Sequence, residues 1–151
     1  MKRMGMGITL AAMVALGASP AAATEPGGAE QLRRLDIMLE VGAQRCAGGP
    51  QDYARDYRRF AAAHRRELKQ AQAELRRDLA VRHGSRGAGQ ALERQGTAIA
   101  NSYGQGHPWL DCAQLGLVAR NLAQVLGRAT LEEAADQLTG PSAGARMASA
   151  R

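Results

Sequence analysis

Two cysteines, Cys46 and Cys112, are the residues whose chemistry and spacing constrain this chain most. Both fall on apolar helical faces, Cys46 at the end of a predicted first helix and Cys112 at the start of a predicted fourth. An oxidising compartment would join them in a disulfide, and the alternative is two buried free thiols. The catalytic alternative is that Cys112 acts as a nucleophile beside His107. A disulfide would exclude this role, because it leaves Cys112 without a free thiol.

The three histidines, His64, His83 and His107, are far apart in the sequence, and no His-x3-His or Cys-x2-Cys spacing gathers metal ligands. The absence of Cys-x2-Cys-His also excludes a covalently attached c-type haem. His64 lies on an apolar stripe, which favours a packed histidine with a hydrogen-bond partner over a ligand. We therefore predict no metal site, no cofactor and no catalytic residue, and we expect the protein not to be an enzyme.

Residues 1–23 have the pattern of an export signal, with Lys2 and Arg3 followed by an uncharged apolar run and then by small residues at positions 21–23. The run is too short to span a bilayer comfortably, so we expect cleavage near Ala23 rather than an uncleaved anchor. No cysteine follows the run before Cys46, which argues against a lipoprotein. The sequence thus predicts a periplasmic or secreted protein whose mature form has no transmembrane span.

The rest of the chain has a helical apolar period, and no stretch alternates in the manner of a strand. This pattern predicts an all-α bundle of four main helices plus a short C-terminal helix, closed by one disulfide. Residues 24–140 would form a single domain, and residues 141–151 a disordered tail. The predicted helices cover residues 29–45, residues 53–83, a third segment ending near Tyr103, a fourth from Pro108 or Asp111 to Leu126, and residues 130–138.

The second helix is the strongest of these predictions, because its apolar positions recur every three or four residues over about seven turns. They are Tyr53, Tyr57, Phe60, His64, Leu68, Ala71, Leu75 and Leu79. A continuous helix of this length, roughly 45 Å, would form the spine of the bundle. Glycines within residues 84–89 predict the break that follows it. Capping boxes at Asp111 with Gln114 and at Thr130 with Glu133 predict the starts of the last two helices.

Basic residues dominate the outer face of the second helix. Residues 53–86 contain ten basic and four acidic side chains, in a chain of formal net charge +6. The candidate anion-binding residues are Arg55, Arg58, Arg59, Arg65 and Arg66, and their predicted ligand is an anionic envelope component such as lipopolysaccharide or acidic lipid. An ordinary solvated face with helix-surface ion pairs is the alternative, since most of the acids have a base three or four residues away. Arginine abundance alone does not indicate nucleic acid, and we predict no nucleic-acid partner.

A second candidate surface lies in the turn-rich segment that precedes Cys112. Tyr103, His107 and Trp109 stand beside two flexible glycines there, which makes this segment the candidate recognition surface. The structural alternative is that Trp109 plugs the end of the bundle and His107 caps the fourth helix. The predicted partner of the protein as a whole is an unknown periplasmic protein or an anionic envelope component.

Two segments of this sequence resemble those of a known group of proteins. They are residues 34–39 (RLDIML) and 100–112 (ANSYGQGHPWLDC). The chain resembles a group of short exported helical proteins of Gram-negative bacteria that has no established function. Some members bear the name S-adenosyl-L-homocysteine hydrolase. That enzyme family is cytosolic, several times longer, and holds NAD in a Rossmann unit. The glycine clusters of this sequence lie between predicted helices and lack the third glycine of the dinucleotide fingerprint, so we do not expect that activity.

These observations together predict a non-catalytic interaction or binding protein. Binding of anionic envelope material through the arginine-rich face is the first alternative. The hydrolase activity suggested by the family name is the second.

Overall fold

A computed structural model describes residues 27–140, and these residues form five helices and no strand. The helices are α1 (Gly28–Arg45), α2 (Ala54–Ala63), α3 (Arg65–Tyr103), α4 (Cys112–Leu122) and α5 (Arg128–Thr139). The predicted all-α fold is therefore confirmed for this part of the chain. The predicted export signal and tail lie outside the described residues.

Helix α1 is the central element, because it packs against each of the other four helices. Leu32, Leu35 and Leu39 form its fully buried stripe, at the spacing that places side chains on one helical face. Cys46 follows at the end of the same stripe and is only 7% exposed, as the sequence predicted. The core of the protein thus surrounds α1 and ends at one of the two cysteines.

The predicted second helix is not continuous. Its apolar stripe is correct, but His64 adopts a non-helical backbone (φ −107°, ψ 18°) that separates α2 from α3. The His64 ring is 4% exposed, and its Nε2 lies 2.7 Å from the carbonyl oxygen of Leu122, the last residue of α4. A buried polar ring needs such a partner, and this long-range hydrogen bond accompanies the kink.

Helix α3 reverses direction at Gly84, the one residue within it that has non-helical torsion angles. Leu75 and Leu79 before Gly84 form one apolar cluster with Leu92 after it, which a straight helix would hold far away. The predicted break across residues 84–89 was thus too long, because helical backbone resumes at Ser85. A single glycine with positive φ makes the turn, and the buried Ala88 already packs in the returning arm.

The last two helices begin differently from one another. Asp111 caps α4 in the predicted capping box, accepting a hydrogen bond from the backbone N–H of Gln114 at 2.9 Å. The predicted Thr130 box is wrong, because α5 starts at Arg128, whose guanidinium binds Glu74 on α3 and Glu132 one turn further along. With 12 residues, α5 is also no shorter than α4, which has 11.

The predicted disulfide is present. Cys46 at the end of α1 is bonded to Cys112 at the start of α4, and their Cα atoms are 6.0 Å apart. Helix α4 ends at Leu122, earlier than predicted, and Leu126 is 88% exposed instead of continuing the buried stripe. The disulfide therefore fixes the first residue of an 11-residue helix against the central one.

Candidate functional site

Three of the five arginines predicted to bind anions line one groove. The groove has a volume of about 500 Å³ and is lined by Asp52, Ala54, Arg55, Asp56, Arg58, Arg59 and Arg120. We call it the arginine groove. Three of its guanidinium groups come from α2, at positions that share one helical face, and Arg120 comes from α4.

The local sequence explains why these arginines face outward. Asp52 orders the entry to α2 by accepting hydrogen bonds from the backbone N–H of Ala54 at 2.9 Å and of Gly48 at 3.0 Å. Tyr53 and Phe60 are buried on the opposite face, which anchors α2 to the core. The polar face of α2 is therefore exposed, and its arginines lie beside the exposed Arg120 of α4.

Asp56 fixes two of the four cations. Its carboxylate is largely buried and lies 2.9 Å from Nη2 of Arg120 and 3.6 Å from Nη1 of Arg59. The hydrogen bond to Asp56 also raises the pKa of Arg120. A guanidinium held by a buried carboxylate keeps its remaining N–H donors in a fixed place.

Arg55 and Arg58 make no ion pair within residues 27–140. The second carboxylate of the groove, Asp52, has a pKa below its usual value because two backbone N–H groups donate to it, so it stays ionised at neutral pH. Four arginines therefore face two carboxylates, and the arginine groove keeps an excess of positive charge. Such a surface can bind a phosphate or carboxylate group by charge-assisted hydrogen bonds.

The remaining two predicted arginines lie elsewhere. Arg65 lines a smaller cavity of about 200 Å³ between α1, α2 and α3, and Arg66 is exposed beyond the kink. The kink at His64 is the reason, since Arg65 and Arg66 begin α3 instead of continuing the face of α2. Arg120 was missed in the sequence, because only the packing of α4 on α2 brings it to Asp56.

The smaller cavity contains Asp36, a residue that the prediction of sites did not include. The hydroxyl of Tyr57 donates a hydrogen bond to Asp36 Oδ1 at 3.2 Å, and Arg33 and Arg65 line the same cavity. Burial raises the pKa of Asp36 to about 6, and repulsion from Glu40 adds to the effect. The sequence contained a signal that Asp36 is partly buried, because Leu32 and Leu39, four residues before it and three after it, lie on the buried stripe of α1.

The structure brings Tyr103, His107 and Trp109 together. The Tyr103 and His107 rings stack with centroids 5.9 Å apart, and Trp109 meets the His107 ring edge-on at 4.9 Å. Nδ1 of His107 lies 3.2 Å from the backbone N of Leu110, and its Nε2 lies 3.4 Å from the carbonyl oxygen of Leu138. Both ring nitrogens therefore have partners within the fold when the ring is neutral with its proton on Nε2.

Burial lowers the pKa of His107, which favours the neutral ring. The ring accepts from the segment that precedes α4, whereas Asp111 caps that helix. The indole Nε1 of Trp109 is buried and has no hydrogen-bond partner in the described part of the chain. These contacts give the three aromatic residues a packing role at the end of the bundle.

Within residues 27–140, no three His, Cys, Asp or Glu residues lie close enough together to hold a metal ion. The same part of the chain contains no helix that is long and apolar enough to cross a membrane. Both cysteines are used in the disulfide. Cys112 is therefore not a free thiol beside His107.

Comparison of the chain with protein-family models, curated proteins and solved structures returned no match.

Proposed function

We propose that this protein is an exported, non-catalytic binding protein whose ligand carries an anionic group that enters the arginine groove. The observation that carries the proposal is the convergence of Arg55, Arg58 and Arg59 of α2 with Arg120 of α4 on one groove. On an ordinary solvated helix face, the arginines would be distributed over the surface and would not line one groove. Here Asp56 positions two of them, while Arg55 and Arg58 make no ion pair among the described residues, although the charge of Arg58 acts on the nearby carboxylate of Asp52.

The chemistry of the groove supports binding without a reaction. Guanidinium groups stay protonated at physiological pH and present planar pairs of donors, so they bind an anion without exchanging protons with it. The ligand is an anionic component of the envelope, which the predicted export would bring within reach of the protein. Charge attraction from the excess cations would also speed its arrival.

The test is an NMR titration of the ¹⁵N-labelled protein with inorganic pyrophosphate at low ionic strength. We expect the largest shifts in the backbone amides of residues 52–59 and 117–121. The double variant Arg55→Gln/Arg58→Gln should bind at least tenfold more weakly, because each charged hydrogen bond contributes roughly 1.5–3 kcal/mol.

A matched control removes the same charge elsewhere. Arg76→Gln/Arg77→Gln changes two exposed arginines of α3 that do not line the groove, and it should leave the affinity within about twofold. Equal losses in both double variants would mean that general charge attraction accounts for the binding. The same conclusion would follow from shifts spread evenly over the basic surface.

A further inference from the structure

An apolar groove continues directly from the arginine groove. It has a volume of about 370 Å³ and is lined chiefly by Pro50, Tyr53, Cys112, Ala113, Gly116 and Leu117. Asp52, Asp56 and Arg120 line both grooves, so the two form one continuous depression between α2 and α4.

Tyr53 and Cys112 form part of the inner wall of the apolar groove. The Tyr53 hydroxyl points away into the core, where it donates a hydrogen bond to the carbonyl oxygen of Leu39 at 3.1 Å. Gly116 allows the close approach of α4, since a Cβ placed there would lie 3.0 Å from Tyr53 Cβ. The only polar atom of the Tyr53 side chain is therefore withdrawn from the groove.

The outer wall carries Leu117, which is 53% exposed although it is a large apolar side chain. Exposed leucines are common when they are scattered singly, but Leu117 lies with Pro50, Tyr53 and Ala113 along the apolar part of this groove. Arg120 follows three residues later on the same helix. The surface therefore changes from apolar to cationic within about one helical turn, or 5.4 Å.

We propose that the ligand of this depression is an anionic amphiphile with a single alkyl or acyl chain. The chain lies along Tyr53, Ala113 and Leu117, and the phosphate or carboxylate head binds Arg55, Arg58 and the exposed donors of Arg120. This assignment rests on the proposed function and names the class of its ligand. A ligand without a chain uses only half of the depression, and a ligand without a charge uses only the other half.

Asp52 and Asp56 at the junction do not oppose this assignment. Asp56 is paired with Arg59 and Arg120, which cancel its charge locally. Asp52 directs its carboxylate oxygens to the backbone N–H groups of Gly48 and Ala54. The junction therefore retains the cationic excess that an anionic head requires.

Three probes separate the contribution of the alkyl chain from that of the anionic head. Each is used below its critical micelle concentration where it has one. Dodecyl phosphate has both parts, inorganic phosphate has only the anion, and dodecyl maltoside has only the chain. We expect calorimetry to show dodecyl phosphate binding at least tenfold more tightly than either of the other two, since burial of only a few methylene groups accounts for such a factor.

Variants on the apolar wall then test the location. Leu117→Gln and Ala113→Gln change exposed helical positions, so the fold should persist, and each should weaken dodecyl phosphate at least fivefold without changing inorganic phosphate. Val81→Gln removes an apolar side chain that is 87% exposed on α3, away from the groove, and it should change neither affinity. Arg58→Gln should weaken both phosphates.

The outcomes distinguish this inference from the proposed function. Equal affinity for dodecyl phosphate and inorganic phosphate would overturn the amphiphile assignment and leave anion binding intact. An equal effect of Val81→Gln and Leu117→Gln would overturn it too, because chain binding would then be unspecific. If neither phosphate binds, the proposed function fails together with the inference.

Discussion

Asp36 is a carboxyl group whose ionisation opposes folding. It lies on the flank of the buried stripe of α1, where burial raises its pKa from the ordinary 3.8 to about 6. The hydrogen bond from Tyr57 and the charge of Arg33 lower the pKa, but they do not offset the loss of solvent. The folded protein therefore holds the Asp36 proton more tightly than the unfolded chain does. The resulting penalty is absent below pH 3.8, grows up to about pH 6, and is complete above that.

We predict that Asp36→Asn raises the free energy of unfolding at pH 7.5 by about 1–3 kcal/mol, since asparagine keeps an acceptor for Tyr57 without a charge. Urea denaturation at pH 7.5 and at pH 4 measures the effect. The gain should nearly vanish at pH 4, where the native carboxyl is already protonated. Asp78→Asn, at an exposed position of α3, is the control and should change stability little at either pH. A gain from Asp36→Asn that is equal at both pH values would show that ionisation is not its cause.

At the scale of the helices, Gly84 determines how α3 folds back on itself. Its torsion angles (φ 71°, ψ 164°) belong to a region that essentially only glycine occupies, and a Cβ placed there would meet no atom within 4 Å. The cost of a side chain at Gly84 would therefore come from the backbone alone. Gly89 is equally open but has helical backbone, so it provides a matched comparison.

We predict that Gly84→Ala lowers the free energy of unfolding by about 1–3 kcal/mol, because alanine must adopt strained torsion angles. Gly89→Ala should raise it by about 0.5–1 kcal/mol, because alanine restricts the unfolded chain and favours the helix. Chemical denaturation of the two variants measures both changes. Effects of the same sign would contradict a turn that depends on the conformation of Gly84.

The same elements show what the sequence could predict. The apolar stripe from Tyr53 to Leu79 was visible, because helical periodicity depends only on neighbouring residues. The kink at His64 was not, since its partner is the carbonyl oxygen of Leu122, 58 positions away. The candidate site divides in the same way. The spacing that places Arg55, Arg58 and Arg59 on one helical face was visible in the sequence. The position of Arg120 beside them was not, because it depends on how α4 packs against α2.

At the scale of the whole molecule, the disulfide connects the core to the proposed binding surface. Cys46 ends the central helix, and Cys112 both begins α4 and lines the apolar groove. Both grooves lie between α2 and α4, so their shape depends on the position of α4. The disulfide fixes one end of this helix, and the Asp56–Arg120 pair, 2.9 Å long, links its outer face to α2.

We predict that Cys46→Ala/Cys112→Ala lowers the free energy of unfolding by about 4 kcal/mol, because the bond closes a loop of 66 residues in the unfolded chain. Denaturation with and without a reducing agent provides the control. Reduction should bring the unaltered protein to the stability of the double variant, and it should leave the variant unchanged. Hydrogen exchange on the folded variant should accelerate more in α4 than in α1, since α4 loses its covalent link while α1 remains packed against the other helices. A loss below about 1 kcal/mol, or equal acceleration in both helices, would show that packing alone holds α4 in place.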